Sequence, residues 1–395
     1  IMGFGTVGSG VLEVCRRNAA SIARRAGEPV EVKYILDVRD FSGSPDAALF
    51  TKSIDTILND PEIKVVVETI GGTKFAYPYV RQCLESGRSV CTSNKEMVAT
   101  YGAELLALAK EHSAAFLFEA SVGGGIPIIR PLISCLTADV VEEITGILNG
   151  TTNYMMTKMS EEGLEFDDVL KDAQQKGYAE ADPTADIEGY DACRKIAILT
   201  SLISGKQVDF EDIHCEGITN ISAVDFKYAQ AMGRSIKLLA SSHLENGTYG
   251  AIVAPFLLEK SHPLYNVRDV FNAVFVHGNV LGDAMFYGSG AGKLPTASAV
   301  VADIVDIVKN IDKNIIFPWG AEKMKMAGFK DVPYRFFVRT VAPKDEIEAA
   351  FGDVEYIAVP GEEKENAFVT GKMTGREYEK AAQSIGGIIN MIRMD

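Results

Sequence analysis

The chain is poor in the residues from which metal and disulfide chemistry are built. Its six cysteines (Cys15, Cys83, Cys91, Cys135, Cys193, Cys215) are scattered, with no CxxC pair, and no HExxH segment occurs. That pattern excludes a zinc site of the usual ligand spacing and a disulfide framework, and leads us to expect reduced packing thiols in a cytoplasmic protein. On that reading the Asn-x-Ser/Thr triplets at Asn149, Asn220 and Asn246 have no bearing on glycosylation. Positive charge is also short: 39 Lys and Arg stand against 54 Asp and Glu, a net charge of −15. Such a balance argues against a nucleic acid or an anionic membrane as partner and favours a small-molecule enzyme. No apolar run approaches the length of a membrane-spanning helix, and no charged-then-apolar leader is evident. The five histidines (His112, His214, His243, His262, His277) lie in contexts we read as structural, so any proton transfer falls to other residues.

What is present is a glycine turn at the very start. "IMGFGTVGSGVLEVCRRNAASIARRAG" reads as the tail of a strand, a turn, and a helix closing at Gly27. Gly3, Gly5 and Gly8 form G-x-G-x-x-G: the first permits the tight turn, the second lets backbone approach a pyrophosphate, and the third packs helix on strand. Alone the motif is weak, but strand-like segments follow at "VEVKYILDVRD", "KVVVETIGG", "SVCTSNK" and "AAFLFEAS", with helical segments between. This alternation predicts an α/β fold with a Rossmann-type, doubly wound parallel sheet over residues 1–130. Asp37 is placed to accept from a ribose hydroxyl, favouring NAD, and Arg39 to pair with a 2′-phosphate, favouring NADP; the choice stays open. The glycine turn "GSGAGKLPTASAVVADIVDIVKNI" leads a long apolar helix that is expected to return to the first domain, completing it at about 288–325. Residues 131–287 read as an α+β substrate and dimerisation domain with a mostly antiparallel sheet.

The densest chemistry lies in "GYAEADPTADIEGYDACRK", where Glu180, Asp182, Asp186, Glu188 and Asp191 precede Lys195 at the mouth of an apolar helix. Lys195 follows Asp191 by one helical turn, so the two side chains are neighbours, and Leu199 and Leu202 continue an apolar face beneath them. A partly desolvated lysine has a tunable pKa and can give a proton to an alkoxide forming from an aldehyde. The acids would then receive a cationic substrate group. A solvated acidic loop followed by an exposed ion pair is the plainer alternative.

"AQQKGYAEADPTADIEGYDACRK" resembles the homoserine dehydrogenase signature at every fixed position: Ala173, Gly177, Asp182, Pro183, Asp186, Gly189, Asp191 and Lys195. "GFGTVGSGV", "ETIGG", "SNKEMVA", "FEASVGGGIPIIRPL", "GILNGTTNYMM" and "GSGAGKLPTASAVVADI" extend the likeness, in order, across roughly residues 1–325. The resemblance implies NAD(P)-dependent interconversion of L-aspartate 4-semialdehyde and L-homoserine, on the way to threonine and methionine. It implies Lys195 as proton donor, Lys95 beside nicotinamide and substrate, and Glu180, Asp191 and Asp186 as substrate-pocket acids. It implies a cofactor site of Gly3, Phe4, Gly5, Thr6, Val7 and Gly8, bordered by Thr69 and Gly71, with Gly177 and Gly290 as close-approach glycines. It implies further a sodium ion held by the backbone carbonyls of Glu119, Val122, Gly124 and Ile126. A homodimer or homotetramer follows as the expected assembly.

The last sixty-odd residues (330–395) read as β-α-β-β-α-β, a small ferredoxin-like unit that resembles an ACT domain, so threonine is an expected effector. Its first loop, "APKDEIEAA", departs from sensing members, which usually carry a glycine after the proline; a dimerising role is the rival. Two other functions compete with the main one: a non-catalytic Rossmann-ACT sensor, and a nicotinamide reductase for another amino-acid aldehyde. Retention of Lys195, Asp191, Glu180 and Lys95 together argues against the first.

Overall fold

The computed structural model describes residues 1–311, 313 and 315–395. The N-terminal part is a parallel sheet. Val65–Glu68, Ser89–Thr92 and Phe116–Leu117 pair in parallel, as do Ile35–Leu36 and Phe50–Thr51, and Met2 bridges Leu36 on one side and Glu68 on the other. Taken across the sheet and numbered by sequence, the order is 3-2-1-4-5-6, the doubly wound Rossmann order. The strand order reverses between Met2 and Glu68, and a ligand crevice opens at such a switch point.

Two local expectations need correction. The second strand is only Ile35–Leu36 within "VEVKYILDVRD". The first helix is two, Thr6–Arg17 and Ala19–Ala26, separated at Asn18, whose backbone (φ −111°, ψ 17°) is not helical. The pair still ends at Gly27, left-handed at φ 93°, where glycine is the natural cap.

The helix Lys293–Lys309 does return to this sheet. Its Ala297, Val300 and Ile304 pack into one core with Val11 and Val14 of the first helix and with Val67, Cys91 and Leu117 of the strands. A side chain at Gly10 would press on the Lys293 carbonyl at 2.7 Å, so the two helices cross where only a glycine fits.

The rest is built on a second sheet. Gly282–Ser289, Phe271–Gly278, Val141–Ile147, Ser235–Glu245 and Thr248–Leu258 follow one another in antiparallel pairs. Helices Gly150–Glu162 and Tyr190–Ser204 lie in the main core against it. The C-terminal strands Pro333–Thr340, Glu355–Ile357, Asn366–Val369 and Ile388–Met394, with helices Lys344–Phe351 and Gly375–Ala382, take the spatial order 4-1-3-2 of a split βαβ unit. This unit is not detached: Ile388–Met394 pairs in parallel with Thr248–Leu258, so one eleven-stranded sheet runs through both.

Candidate active site

Helix Tyr190–Ser204 starts after Gly189, left-handed at φ 83°, where a Cβ would sit 3.0 Å from the Cys215 sulfur. The helix is apolar on nearly every face, which buries it from Asp191 to Leu202 except at Arg194. Asp191 in its first turn and Lys195 one turn on are therefore carried inside, with only 2% and 8% of their surface exposed. The exposed ion pair is ruled out, and desolvation is more complete than the sequence suggested.

Lys195 Nζ donates to Asp191 Oδ2 at 2.6 Å and to the Leu148 carbonyl at 2.6 Å. Lys95, the first residue of helix Lys95–Glu111, pairs with the other Asp191 oxygen, Oδ1. Asn149 Nδ2 donates to both acids, Asp186 Oδ1 at 2.7 Å and Asp191 Oδ2 at 2.8 Å. Asn149 is positioned by its own helix: it is the N-cap of Gly150–Glu162, its Oδ1 accepting from Thr152 N at 2.9 Å. One buried carboxylate thus joins a lysine from the Rossmann part to a lysine from the second part.

The electrostatics separate these groups. Burial lowers the Lys195 pKa, with the Lys95 charge adding to it and Asp191 only partly restoring it. Lys95 is also penalised by burial, but the Asp191 charge prevails and its pKa rises. Burial alone would raise Asp191, yet the two lysines hold it well below the ordinary carboxylate range. Asp186 is raised, by burial first and then by the Asp191 charge. A lysine whose pKa is lowered beside one whose pKa is raised separates a group that can exchange its proton from one that keeps its charge, which suits general acid–base chemistry.

The structure thus gathers Lys195, Lys95, Asp191 and Asp186. It does not join Glu180 to them: that residue is exposed, and only its backbone carbonyl is bonded, by Gln174. The oxygens of Asp191 are engaged by two lysines and Asn149, so the residue orients cations within the protein. Asn149 is the member the sequence reading missed as a site residue. Its N-cap pattern, an Asn ahead of "GTTNYMM", was the available signal.

The crevice at the switch point fits a dinucleotide. Gly3 has φ 87°, and a Cβ there would lie 2.8 Å from the Thr69 carbonyl; one on Gly8 would lie 2.1 Å from the Gly3 carbonyl. At Gly5 nothing stands within 4 Å, so a phosphate can reach the backbone, and Gly5 and Thr6 are exposed at the helix start. Thr69 Oγ1 donates to the Gly3 carbonyl at 2.8 Å. Buried Glu68 accepts from Ile70 N at 2.7 Å and Gly71 N at 3.1 Å, fixing the facing loop. Val7 packs into the sheet core, and the Phe4 ring meets Phe41 and Phe50 edge-on at 5.5 and 5.1 Å. Asp37 accepts from Phe4 N at 2.7 Å and from the Arg39 guanidinium at 2.8 and 3.0 Å, and the bonded Arg39 holds its pKa well below the ordinary range.

Gly177 is left-handed at φ 74° on an exposed loop. Gly290 is a packing glycine: a Cβ there would fall 2.1 Å from the Asn272 side-chain amide, while its carbonyl would lie 2.3 Å from a Cβ on Gly124. Asn272 is fully buried between Gly150 and Gly290, and neither its amide nitrogen nor its oxygen has a partner among the described residues. Glu119 has its carboxylate committed: Ile128, Ile129 and Arg130 N donate to it at 2.6, 2.9 and 2.8 Å, leaving its carbonyl, not its side chain, for a cation. The carbonyls of Val122, Gly124 and Ile126 accept no backbone hydrogen bond among the described residues, a donor set that fits a hard cation.

The histidines lie elsewhere. His214 meets Glu216, His243 meets Ser241, His277 meets Asp283, His262 meets Leu264 N, and His112 caps a helix.

A doubly wound dinucleotide sheet whose crevice opens beside a buried Asp–Lys pair defines a nicotinamide-dependent oxidoreductase. The family model for homoserine dehydrogenase matches residues 127–305, and that for the homoserine dehydrogenase NAD-binding domain matches residues 3–119. A homoserine dehydrogenase of Bacillus subtilis is 40% identical over 356 residues, 88% of this chain and 81% of its own. The crystal structure of a homoserine dehydrogenase from Thiobacillus denitrificans superposes with a TM-score of 0.92 at 36% identity, covering 100% of this chain and 97% of its own. A hyperthermophilic archaeal homoserine dehydrogenase in complex with NADPH covers 77% of this chain and 95% of its own, with a TM-score of 0.66 at 30% identity. The chain belongs to the homoserine dehydrogenase family (EC 1.1.1.3).

Proposed function

We propose that the chain interconverts L-aspartate 4-semialdehyde and L-homoserine with Lys195 as the group that moves the proton. The observation that carries this is the state of that lysine: buried, lowered in pKa, and aimed by Asp191 and the Leu148 carbonyl. A nicotinamide bound in the crevice would supply the hydride for the aldehyde carbon. Lys195 then gives its proton to the carbonyl oxygen as that oxygen becomes an alcohol, and takes it back in the reverse direction. Lys95 stays charged and stabilises the developing oxyanion. Asp186, and Glu180 once its loop folds inward, receive the substrate ammonium.

Gly3 to Gly8, Thr69, Gly71 and Gly290 would hold the dinucleotide, with Gly177 closing over it. NADP is the proposed preference: Arg39 already occupies the Asp37 oxygens that a ribose hydroxyl would need, and its guanidinium is more than half exposed. The bound cofactor in the archaeal relative agrees. The carbonyls of Glu119, Val122, Gly124 and Ile126 would take sodium. Residues 1–130 with 288–325, 131–287 and 330–395 serve as dinucleotide, substrate and ACT-like regulatory domains, the last a threonine-responsive module. Exposed Phe271, Val280, Leu281, Met285 and Tyr287 on one hairpin support a homodimer. No helix of the described residues is long and apolar enough to cross a membrane. Six unpaired cysteines support a cytoplasmic setting.

The test is oxidation of reduced nicotinamide with L-aspartate 4-semialdehyde, followed by absorbance. Lys195→Ala should lose about 10²–10⁴-fold in kcat while cofactor binding persists. A folded variant with undiminished kcat would end this assignment.

A further inference from the structure

Away from both parts of the active site lies a polar cavity of about 210 Å³, between the end of helix Gly150–Glu162, the start of strand Ser235–Glu245 and the segment 259–268. Four cations and one acid line it: Arg234, Lys237, Lys260 and Arg268, with Glu161. That concentration stands out in a chain of net charge −15. Lys237 is the unusual member. It is only 3% exposed, and its Nζ donates to the Val267 carbonyl at 2.5 Å and to Asn153 Oδ1 at 3.3 Å. It makes no ion pair among the described residues, so a buried ammonium in the cavity wall keeps a third N–H to give. Burial and the neighbouring Arg268 lower its pKa to about 8 against the weaker pull of Glu161 and Asp269, which is the cost of leaving it without an anion.

The surrounding cations are only partly used. Arg234 gives one Nη to Glu259 at 2.6 Å and the other to the Asp395 carbonyl at 3.4 Å, while Arg268 gives one to Glu161 at 2.8 Å, so each fork keeps further N–H groups to donate. Lys260 is exposed and makes no ion pair among the described residues. Donors approaching from two separate segments suit a tetrahedral dianion, which accepts from several sides. A planar carboxylate is served by one fork.

We propose that this cavity is a second ligand site, one that takes a phosphate group, either free or carried by a small metabolite. It is independent of the dehydrogenase assignment. Lys237 supplies the buried charge, while Arg234, Lys260 and Arg268 supply the outer donors.

The experiment is calorimetric titration of the full chain, saturated with NADP⁺ at constant ionic strength, with inorganic phosphate, glycerol phosphate and succinate. One saturable site per chain is expected for phosphate or glycerol phosphate. Loss of a charge-assisted hydrogen bond in Lys237→Met should weaken it about tenfold or more. Tighter binding of glycerol phosphate identifies a carried phosphate; equal or weaker binding identifies free phosphate. If Lys237→Met does not fold, the double variant Arg234→Gln/Lys260→Gln bears the same expectation. The proposal is overturned if no saturable heat appears at tens of millimolar phosphate. It is overturned equally if the folded variants bind as the wild type does, or if succinate binds as tightly as phosphate. Turnover measured in parallel is a separate readout, so loss of the dehydrogenase assignment would leave this result standing.

Discussion

Replacing Asp191 by Asn removes one negative charge and almost no volume from a site where that charge faces two lysines. The amide of Asp191→Asn would keep a contact to Lys195 but leave Lys195 and Lys95 as neighbouring cations with no acid bonded between them. Breaking a buried pair on one side costs about 3–5 kcal/mol when the remaining charge stays. Lys195 has an escape, because it can release its proton. Its pKa is already lowered by burial and by Lys95, and loss of Asp191 removes the main influence that raises it. The destabilisation should therefore be largest below its lowered folded-state pKa, where Lys195 stays charged, and should shrink as pH rises past that pKa. The same shift acts on catalysis. The reduction needs protonated Lys195, so the limb of kcat that falls with rising pH should move to lower pH in Asp191→Asn. Both are measured directly, by urea midpoints and by nicotinamide absorbance, each across pH 6–10. An unmoved limb together with a pH-independent loss of stability would refute the claim that Asp191 sets the protonation of Lys195.

Three further outcomes follow from the geometry. Arg39→Gln should raise the KM for NADPH about tenfold or more while changing that for NADH little, since a fork to a 2′-phosphate is worth a charge-assisted hydrogen bond; steady-state kinetics with both cofactors checks it. Gly8→Ala should abolish cofactor binding, because the added carbon falls 2.1 Å from the Gly3 carbonyl and the loop must open; quenching of protein fluorescence by NADPH reads this. Glu216 takes a bidentate pair from Arg393 at 2.6 and 2.9 Å and also meets His214, and despite burial its pKa is lowered to about 2. A lowered acid stabilises above its unfolded value of 4.5 and loses that contribution as pH falls toward 2, so Arg393→Met should destabilise at pH 7 and flatten the acid limb of the unfolding profile.

The parallel sheet was legible because each of its signals is local: the glycine spacing at Gly3, Gly5 and Gly8, and the runs of buried β-branched residues such as "KVVVE". The break at Asn18 was not, since "CRRNAASIARR" has helical periodicity throughout and only the backbone turns aside. Lys195 was legible through its spacing from Asp191. Its full burial was not, because that depends on strand Val141–Ile147 and the Leu148 carbonyl, 47 positions away. Asn149 shows the same limit: its N-cap role can be read from four residues, whereas its grip on Asp186 and Asp191 is a long-range fact. The C-terminal unit was read correctly as β-α-β-β-α-β but as a separate body, and nothing in "IINMIRMD" announces that it pairs with a strand some 135 residues earlier.

That pairing changes what a shortened chain would be. Ending the protein near residue 330 would not simply lift off a regulatory part. It would uncover the Phe256–Leu257 end of Thr248–Leu258, a strand whose residues are buried almost throughout, and leave Glu216 without Arg393. An uncovered apolar flank invites a second copy to add itself edge to edge. Insolubility of such a fragment would then be a matter of sheet continuity, and would say nothing about whether the lost segment ever responded to an effector.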